Sequence, residues 1–439
     1  MATTNSRVSA EAGFSGGGGA AAAGTGGSGF RWVICGLLFF ATVIAYVDRG
    51  VIGYLEKSLE TIIGWNSIEY GYITTAFQIA YAIGLVCAGR LTDRLGTKKG
   101  FAIAITIWSI AAMLPGAAYS AVTFGVAMFI LGLGEAANFP ACIKTVAEWF
   151  PRRERALATG IFNSGANIGN IVVPLVVPFL FYSVGWRGAF VCTGALGFVW
   201  LGLWLWLYRK PEEHPRVSAK ELALIQSDPA EKIHSVPWVK LFPRKETWAF
   251  SIAKFLTDPI WWFYLFWLPR YLQGTFHLNL TQSQKPIVAV YVVSIAGSVG
   301  GGWISSILLR RGKSANFSRK MALLTCALAV VPVAYAPFAG NLWVVVGLVG
   351  LAAAAHQGWS ANLFTIPSDT FPKAAVASVV GIGGMMGAIG GALLQTATGY
   401  IVGLTNSYVP LFVIACSVYL LALLIIQMLT PKLAAAKVG

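Results

Sequence analysis

Apolar residues in this chain come in long runs, and polar residues are pressed into the short gaps between them. From Phe30 onward twelve runs are long enough to cross a bilayer, each needing about 20 residues. They lie near 30–55, 69–90, 99–119, 122–148, 156–181, 186–208, 247–272, 285–309, 318–338, 341–365, 374–402 and 406–430. Apolar positions within them recur with helical spacing, so the pattern predicts helices and not the alternating strands of a barrel. The largest polar interruption, Tyr208 to Glu246, divides the runs six and six. The expected fold is an all-α polytopic membrane protein of twelve transmembrane helices. They form two pseudo-symmetric six-helix bundles, 30–208 and 247–431, joined by a loop at 209–246. Flanking tails are expected at 1–29 and 432–439. The first is Gly/Ala-rich and reads as disordered, and the run after it is too long for a cleavable signal peptide.

Composition agrees with that class: 56% of the 439 residues are hydrophobic and 11% charged, against about 25% charged in soluble domains. The net charge of +15 would suggest nucleic acid were it not distributed by topology. Of the 32 Lys and Arg residues, 26 fall on the side of the tails and central loop, and four (Lys57, Arg187, Arg270, Lys285) on the other. That asymmetry predicts cytoplasmic termini and a lipid bilayer, not nucleic acid, as the partner of the basic charge. The six cysteines lie in apolar runs without a CxxC pair, and read as small core residues, neither disulfides nor metal ligands.

The halves also echo each other. Phe150-Pro151 and Phe371-Pro372 stand 221 residues apart, and at the same offset Gly160 meets Gly381, Ile168 meets Ile389 and Gly169 meets Gly390. Parallel six-span repeats of this kind are a transporter architecture with the site near the midplane, between the halves.

Five charged residues interrupt the apolar runs: Asp48, Arg49, Glu135, Lys254 and Asp258. A charge near the bilayer centre costs at least about 2.5–3.5 kcal/mol, so each must face a wet cavity or a partner. Two cations and three acids held this way point to a path for a charged solute together with protons. Arg49 offers a planar fork that grips a carboxylate through two bonds. Asp48 lies about 100° away on the helix and need not face the same target, although a mutual Asp48–Arg49 ion pair is the alternative. Glu135, between glycines on the fourth span, is expected as an isolated carboxyl in a dry site, which favours its neutral form.

Lys254 and Asp258 share a helix face at i, i+4. They form either a self-neutralising pair, or Lys254 reaches an anion opposite Arg49. Pro259 and Pro269 are expected to interrupt this helix, and Trp261 and Trp262 either stack on a sugar face or pack. Tyr81, Asn167, Gln357 and Asn362 are polar groups within spans, able to bind hydroxyls. His356 reads as a core histidine ahead of a proton relay. The Gly165/Gly169 and Gly383/Gly387/Gly391 spacings serve helix packing. No Walker loop, HExxH or GxSxG motif occurs in a suitable context, so neither ATP-driven transport nor hydrolysis is supported, and no cofactor or metal is called for.

GRLTDRLGTKK (89–99) resembles the loop motif of the major facilitator superfamily, with Gly89, Asp93, Arg94, Gly96 and Lys99 in register. LGLGEAANFPACIKTVAEWFPRRERALATGIFNSGANIG (131–169) is similar to the superfamily's anion:cation symporter branch. KFLTDPIWWFYLFWLP (254–269) and AAHQGWSANLFTIPSDTFPK (354–373) resemble its bacterial hexuronate transporters. The resemblance covers essentially everything after residue 30. It implies a proton-coupled symporter of the inner membrane that imports a sugar acid, such as galacturonate or glucuronate, by alternating access as a monomer. It further implies that Arg49 holds the substrate carboxylate, that Asp48 and Glu135 carry protons, and that Tyr81 and Asn167 contact substrate. Asp93 and Arg94 would gate, through charge contacts between helices of the inward-closed state. One departure stands out: many relatives carry Arg where this chain has Met128, so an Arg on that helix cannot control Glu135 here. Alternatives are another organic anion such as an aldonate, an anion exchanger, or a membrane receptor that binds sugar acids without moving them. The short central loop, with no signalling domain, disfavours the receptor.

Overall fold

A backbone N–H in hydrocarbon has no water to bond, so each crossing segment must close its own hydrogen bonds. The computed structural model describes residues 29–227, 238–433 and 436, with the side chains of 88–93, 152, 156, 238, 373, 374 and 377 outside that set. Its described residues form helices and turns, with no β-strand among them. In order, α1 is Phe30–Ile63, α2 Ser67–Met113, α3 Ala121–Glu135, α4 Asn138–Trp149 and α5 Arg152–Leu207. The central loop holds the short α6 (Ala219–Ile225) and α7 (Trp238–Leu241). Then follow α8 Lys245–Thr275, α9 Gln284–Arg310, α10 Ala315–Val330, α11 Leu342–Leu363, α12 Thr365–Thr370, α13 Lys373–Thr405 and α14 Val409–Leu429.

Apart from α6 and α7, twelve helices make the twelve crossings: α2 and α5 each hold two, and two crossings are broken, one into α3 and α4 and one into α11 and α12. At 56 residues α5 holds enough chain for two crossings, and it turns at the non-helical Gly185 (φ 75°, ψ 172°) between them. Gly96 (φ 75°, ψ 161°) turns α2 in the same way. Both angles are ones that a side chain makes costly, so glycine is needed at each. One crossing breaks into α3 and α4 because Pro140 lacks an N–H and its ring crowds the carbonyl of Ala136, four residues earlier. Pro367 ends α11 at Leu363 by the same geometry.

The prolines of α8 act differently from the expectation. Pro259 and Pro269 sit inside an uninterrupted helix of 31 residues. The carbonyls they release, Phe255 O and Leu265 O, face Gly390 and Gly53 on neighbouring helices. A Cβ there would stand 2.2 and 2.8 Å from them. Glycine backbones thus cover the freed oxygens, and the helix need not break. Gly165 and Gly169 serve packing as expected: a Cβ would lie 2.6 Å from Phe39 O and 2.8 Å from Val43 O, where α5 crosses α1. Cys35, Cys142 and Cys326 are buried core residues, whereas Cys87 and Cys192 are exposed on outward helix faces, contrary to their expected burial.

Within the first half α1 packs on α5 and α2 on α3; within the second, α9 packs on α11 and α8 on α13. The halves meet where α2 runs beside α13, α1 beside α8 and α5 beside α9. The sequence echo extends to side-chain networks, since Glu148 and Asp369 also stand at the offset of 221. Glu148 accepts from Thr97 (2.6 Å) and from Tyr208, and Asp369 accepts from Arg319 (3.1 Å). The loop after the sixth crossing is anchored: the Glu221 carboxylate of α6 accepts the N–H groups of Phe30 (3.2 Å) and Arg31 (3.1 Å), at the start of α1. Most of the expected 1–29 tail lies outside the described residues.

Candidate functional site

Arg49 is the centre of the polar interior. Its guanidinium is buried midway along α1 and forms an ion pair with Glu135, Nη2 to Oε2 at 2.5 Å. Glu135 is the last residue of α3, where the Pro140 break turns the chain; it is paired, not isolated as expected. The adjacent Asp48 does not pair with Arg49, and both its buried oxygens lack a hydrogen-bond partner among the described residues. Four aromatic rings surround the guanidinium: Tyr46 at 4.4 Å, Trp262 at 5.3 Å, Phe77 at 5.4 Å and Tyr81 at 5.5 Å. Their faces favour a cation, while the walls exclude water and strengthen any ion pair formed inside. Three rings belong to the first half and Trp262 to the second, so the cage is complete only while the halves are together. Met128 is buried two turns before Glu135 on α3 and offers it no charge.

The second cation lies on α8. Lys254 Nζ bonds Asp258 Oδ2 at 2.6 Å and stands 4.5 Å from the ring of Phe364. Of the two tryptophans in this helix, Trp262 walls the Arg49 cage, and Trp261 stacks on His356 at 5.3 Å. His356 Nδ1 also meets the Tyr419 hydroxyl at 2.7 Å, so this histidine is a satisfied core residue.

Two of the amide candidates meet. Gln357 donates to Asn167 Oδ1 at 3.0 Å, joining α11 of one half to α5 of the other, and Ser294 donates to the same oxygen at 3.5 Å. Asn362 is turned elsewhere: its amide donates to the carbonyls of Gly301 (2.8 Å) and Gly358 (2.9 Å), tying α11 to α9. Arg94 is exposed, and the side chain of Asp93 lies outside the described residues.

The largest polar cluster missed by the sequence reading closes the end where α1 meets α2. Arg270 of α8 pairs with Glu56 and, at 2.8 Å, with Glu60 of α1, and donates to Ser67 of α2 at 2.8 Å. Around it Tyr54 donates to Leu280 O (2.7 Å) and Tyr70 to Phe266 O (2.8 Å). Every one of these bonds joins the first half to the second. A signal existed, because Glu56 follows Arg49 by two turns, and Arg270 falls inside the apolar run 247–272.

Comparison with known proteins decides the family. The profile of the Major Facilitator Superfamily matches residues 38–395. The chain belongs to the Major Facilitator Superfamily. It is 31% identical to the probable galactarate/D-glucarate transporter GudP of Bacillus subtilis (strain 168), over 86% of this chain and 87% of that one. With the hexuronate transporter of Escherichia coli (strain K12) identity is 28%, over 91% and 93%. The crystal structure of a D-xylose–proton symporter superposes with a TM-score of 0.72 at 15% identity, covering 93% of this chain and 99% of that one. The all-α fold with no strand among the described residues is thus that of a Major Facilitator transporter, a multi-pass membrane protein and not an enzyme.

The seal at Arg270 yields a stability prediction. Removing one member of a buried pair strands its partner, at a cost of about 3–5 kcal/mol. Arg270→Met should therefore lower the melting temperature of the purified protein sharply, and adding Glu56→Met should restore most of the loss. Equal melting of single and double variants would show that Glu56 is not stranded.

Proposed function

We propose that this transporter is a proton-coupled symporter of the inner membrane, importing a sugar acid, most specifically a hexuronate such as galacturonate or glucuronate. The observation that carries the reading is the buried Arg49–Glu135 pair. A guanidinium in a dry cage can satisfy one carboxylate fully, so a substrate carboxylate and ionised Glu135 compete for it. Protonating Glu135 releases Arg49 to the substrate with net charge unchanged: the arriving anion brings one negative charge and the proton cancels another. Binding of the anion and binding of the proton are thereby linked. An ionised Asp48 with neither oxygen bonded would leave an uncompensated charge in the membrane, so Asp48 carries the second exchangeable proton in this reading.

Tyr81, Asn167 and Gln357 supply hydroxyl contacts around the carboxylate held by Arg49, and Lys254 is the cation of the opposite half. Asn362 acts through helix packing. Cytoplasmic termini make the Arg270 end the outer end, closed here as an inward-facing state requires, and Asp93 and Arg94 gate the other. The relatives are described as transporters of hexuronates and of galactarate or glucarate, which supports a polyhydroxy acid. The reading is tested by uptake of labelled galacturonate and glucuronate, alongside galactarate and glucarate, into proteoliposomes with an inward proton gradient. Absence of gradient-driven accumulation of every acid would overturn it.

Three variants test its parts. Glu135→Gln should abolish gradient-driven accumulation yet leave counterflow exchange largely intact, because deprotonation is needed for net turnover but not for exchange. Arg49→Lys should weaken sugar-acid binding about tenfold or more, since an ammonium cannot reproduce the two-bonded fork; calorimetric titration reads this directly. Lys254→Met with Asp258→Leu should fold normally, as replacing a buried pair by apolar residues is often neutral, yet fail to bind hexuronate. Full hexuronate binding by the double variant would leave Lys254 and Asp258 as a self-neutralising pair.

A further inference from the structure

Gln78 of α2 lies beside the Arg49 cage and has no role in the arrangement described so far. Its side chain is fully buried, and neither its amide nitrogen nor its amide oxygen has a hydrogen-bond partner among the described residues. Buried amides are almost always bonded, because one left open forfeits the hydrogen bonds it made in water. This one follows Phe77, a wall of the cage, and precedes Tyr81 by less than one turn. It points across the boundary between the halves towards α13. A Cβ added at Gly391 of that helix would stand 3.1 Å from Gln78 Cδ and 3.2 Å from its Oε1, and also 3.2 Å from Cδ1 of Trp262. Gly391 thus stands between Gln78 and Trp262, the indole that walls the Arg49 cage, and the lack of a side chain at residue 391 leaves room for the amide.

We propose that Gln78 is a specificity-determining residue that reads a hydroxyl of the sugar acid whose carboxylate Arg49 holds. An amide suits the task, because a hydroxyl both donates and accepts, and the side chain offers an acceptor oxygen beside donor hydrogens. Residues on α2 and α13 separate when the halves rock, so a ligand bonded to Gln78 and resting on Trp262 spans the moving boundary. A sugar hydroxyl bonded there would satisfy the amide that the protein itself leaves open among the described residues. The inference rests on the sugar-acid reading given above.

The test compares binding of galacturonate, glucuronate and hexanoate, a six-carbon monocarboxylate with no hydroxyl, by calorimetric titration of the purified full chain. Gln78→Leu removes the amide, and Gln78→Met does so with an unbranched side chain of similar length, should the branched one disturb folding. The expected result is a loss of affinity of about three- to tenfold for at least one sugar acid, as for a single neutral hydrogen bond, with hexanoate binding unchanged. Wild-type affinity for both sugar acids in a folded variant would overturn the inference and leave the sugar-acid reading standing. An equal loss for sugar acids and hexanoate would also overturn it, assigning Gln78 to packing around Arg49. Failure of the wild-type protein to bind either sugar acid would remove the sugar-acid reading and this inference with it.

Discussion

The ion pair between Arg49 and Glu135 is the interaction on which the interior depends. Guanidinium does not lose its proton in proteins, so a buried Arg49 must always have an anion or an equivalent electron-rich surface. Glu135 supplies the anion and four aromatic rings supply the surface. Those two requirements account for much of the local sequence. Gly132 and Gly134 let α3 approach its neighbours, where a Cβ would come within 2.4 Å of Phe77 O and 2.8 Å of Trp108 Cβ. The Pro140 break then ends α3 on Glu135 itself. A buried pair of this kind adds little net stability, because desolvating two charges offsets their attraction. What it provides is a buried guanidinium whose one anionic partner is a titratable carboxylate.

Much of the fold was readable from the chain because the bilayer leaves few options. Runs of about 20 apolar residues become helices, their number and charge asymmetry follow from inspection, and all five intramembrane charges lie in or beside the central polar region. What could not be read was pairing. Asp48 neighbours Arg49 in sequence but makes no ion pair with it among the described residues, while Glu135, on another helix, makes the bond. Lys254 and Asp258 could be paired from sequence because both lie on one helix four residues apart. The prolines of α8 misled for a related reason: whether a freed carbonyl breaks a helix depends on what faces it, and Gly390 and Gly53 come from distant parts of the chain. Asn362 and Gln357 are equally polar and five residues apart, yet one ties helix backbones together and the other reaches Asn167 in the opposite half. Single-residue chemistry gives no hint of that division.

Arg270 escaped because a charge near the end of a run resembles a boundary marker. Its apolar surroundings were visible in sequence, but the two glutamates that define its role are on α1. Snorkelling of an arginine to the interface is the ordinary explanation for such a residue. Here the side chain turns inward, into the seam between the halves, and is nearly buried.

The buried cations differ in one respect that separates chemistry from movement. Arg49 and Glu135 both belong to the first half, and Lys254 and Asp258 both belong to α8. Rocking one half against the other as rigid bodies therefore need break neither pair. The bonds of Arg270 all cross between halves, so no opening at that end can leave them intact. A ligand held by Arg49 and touching groups of the second half would add a bond of the crossing kind to a centre that otherwise has few. Occupancy of the centre would then favour states in which the halves are close around it, and under the proposed reading a proton on Glu135 would set whether the centre can be occupied. Coupling in such an arrangement requires no charged wire between site and gate. It would require only that the same two halves carry both, with Arg49 answering to the ligand under the proposed reading and Arg270 to the motion.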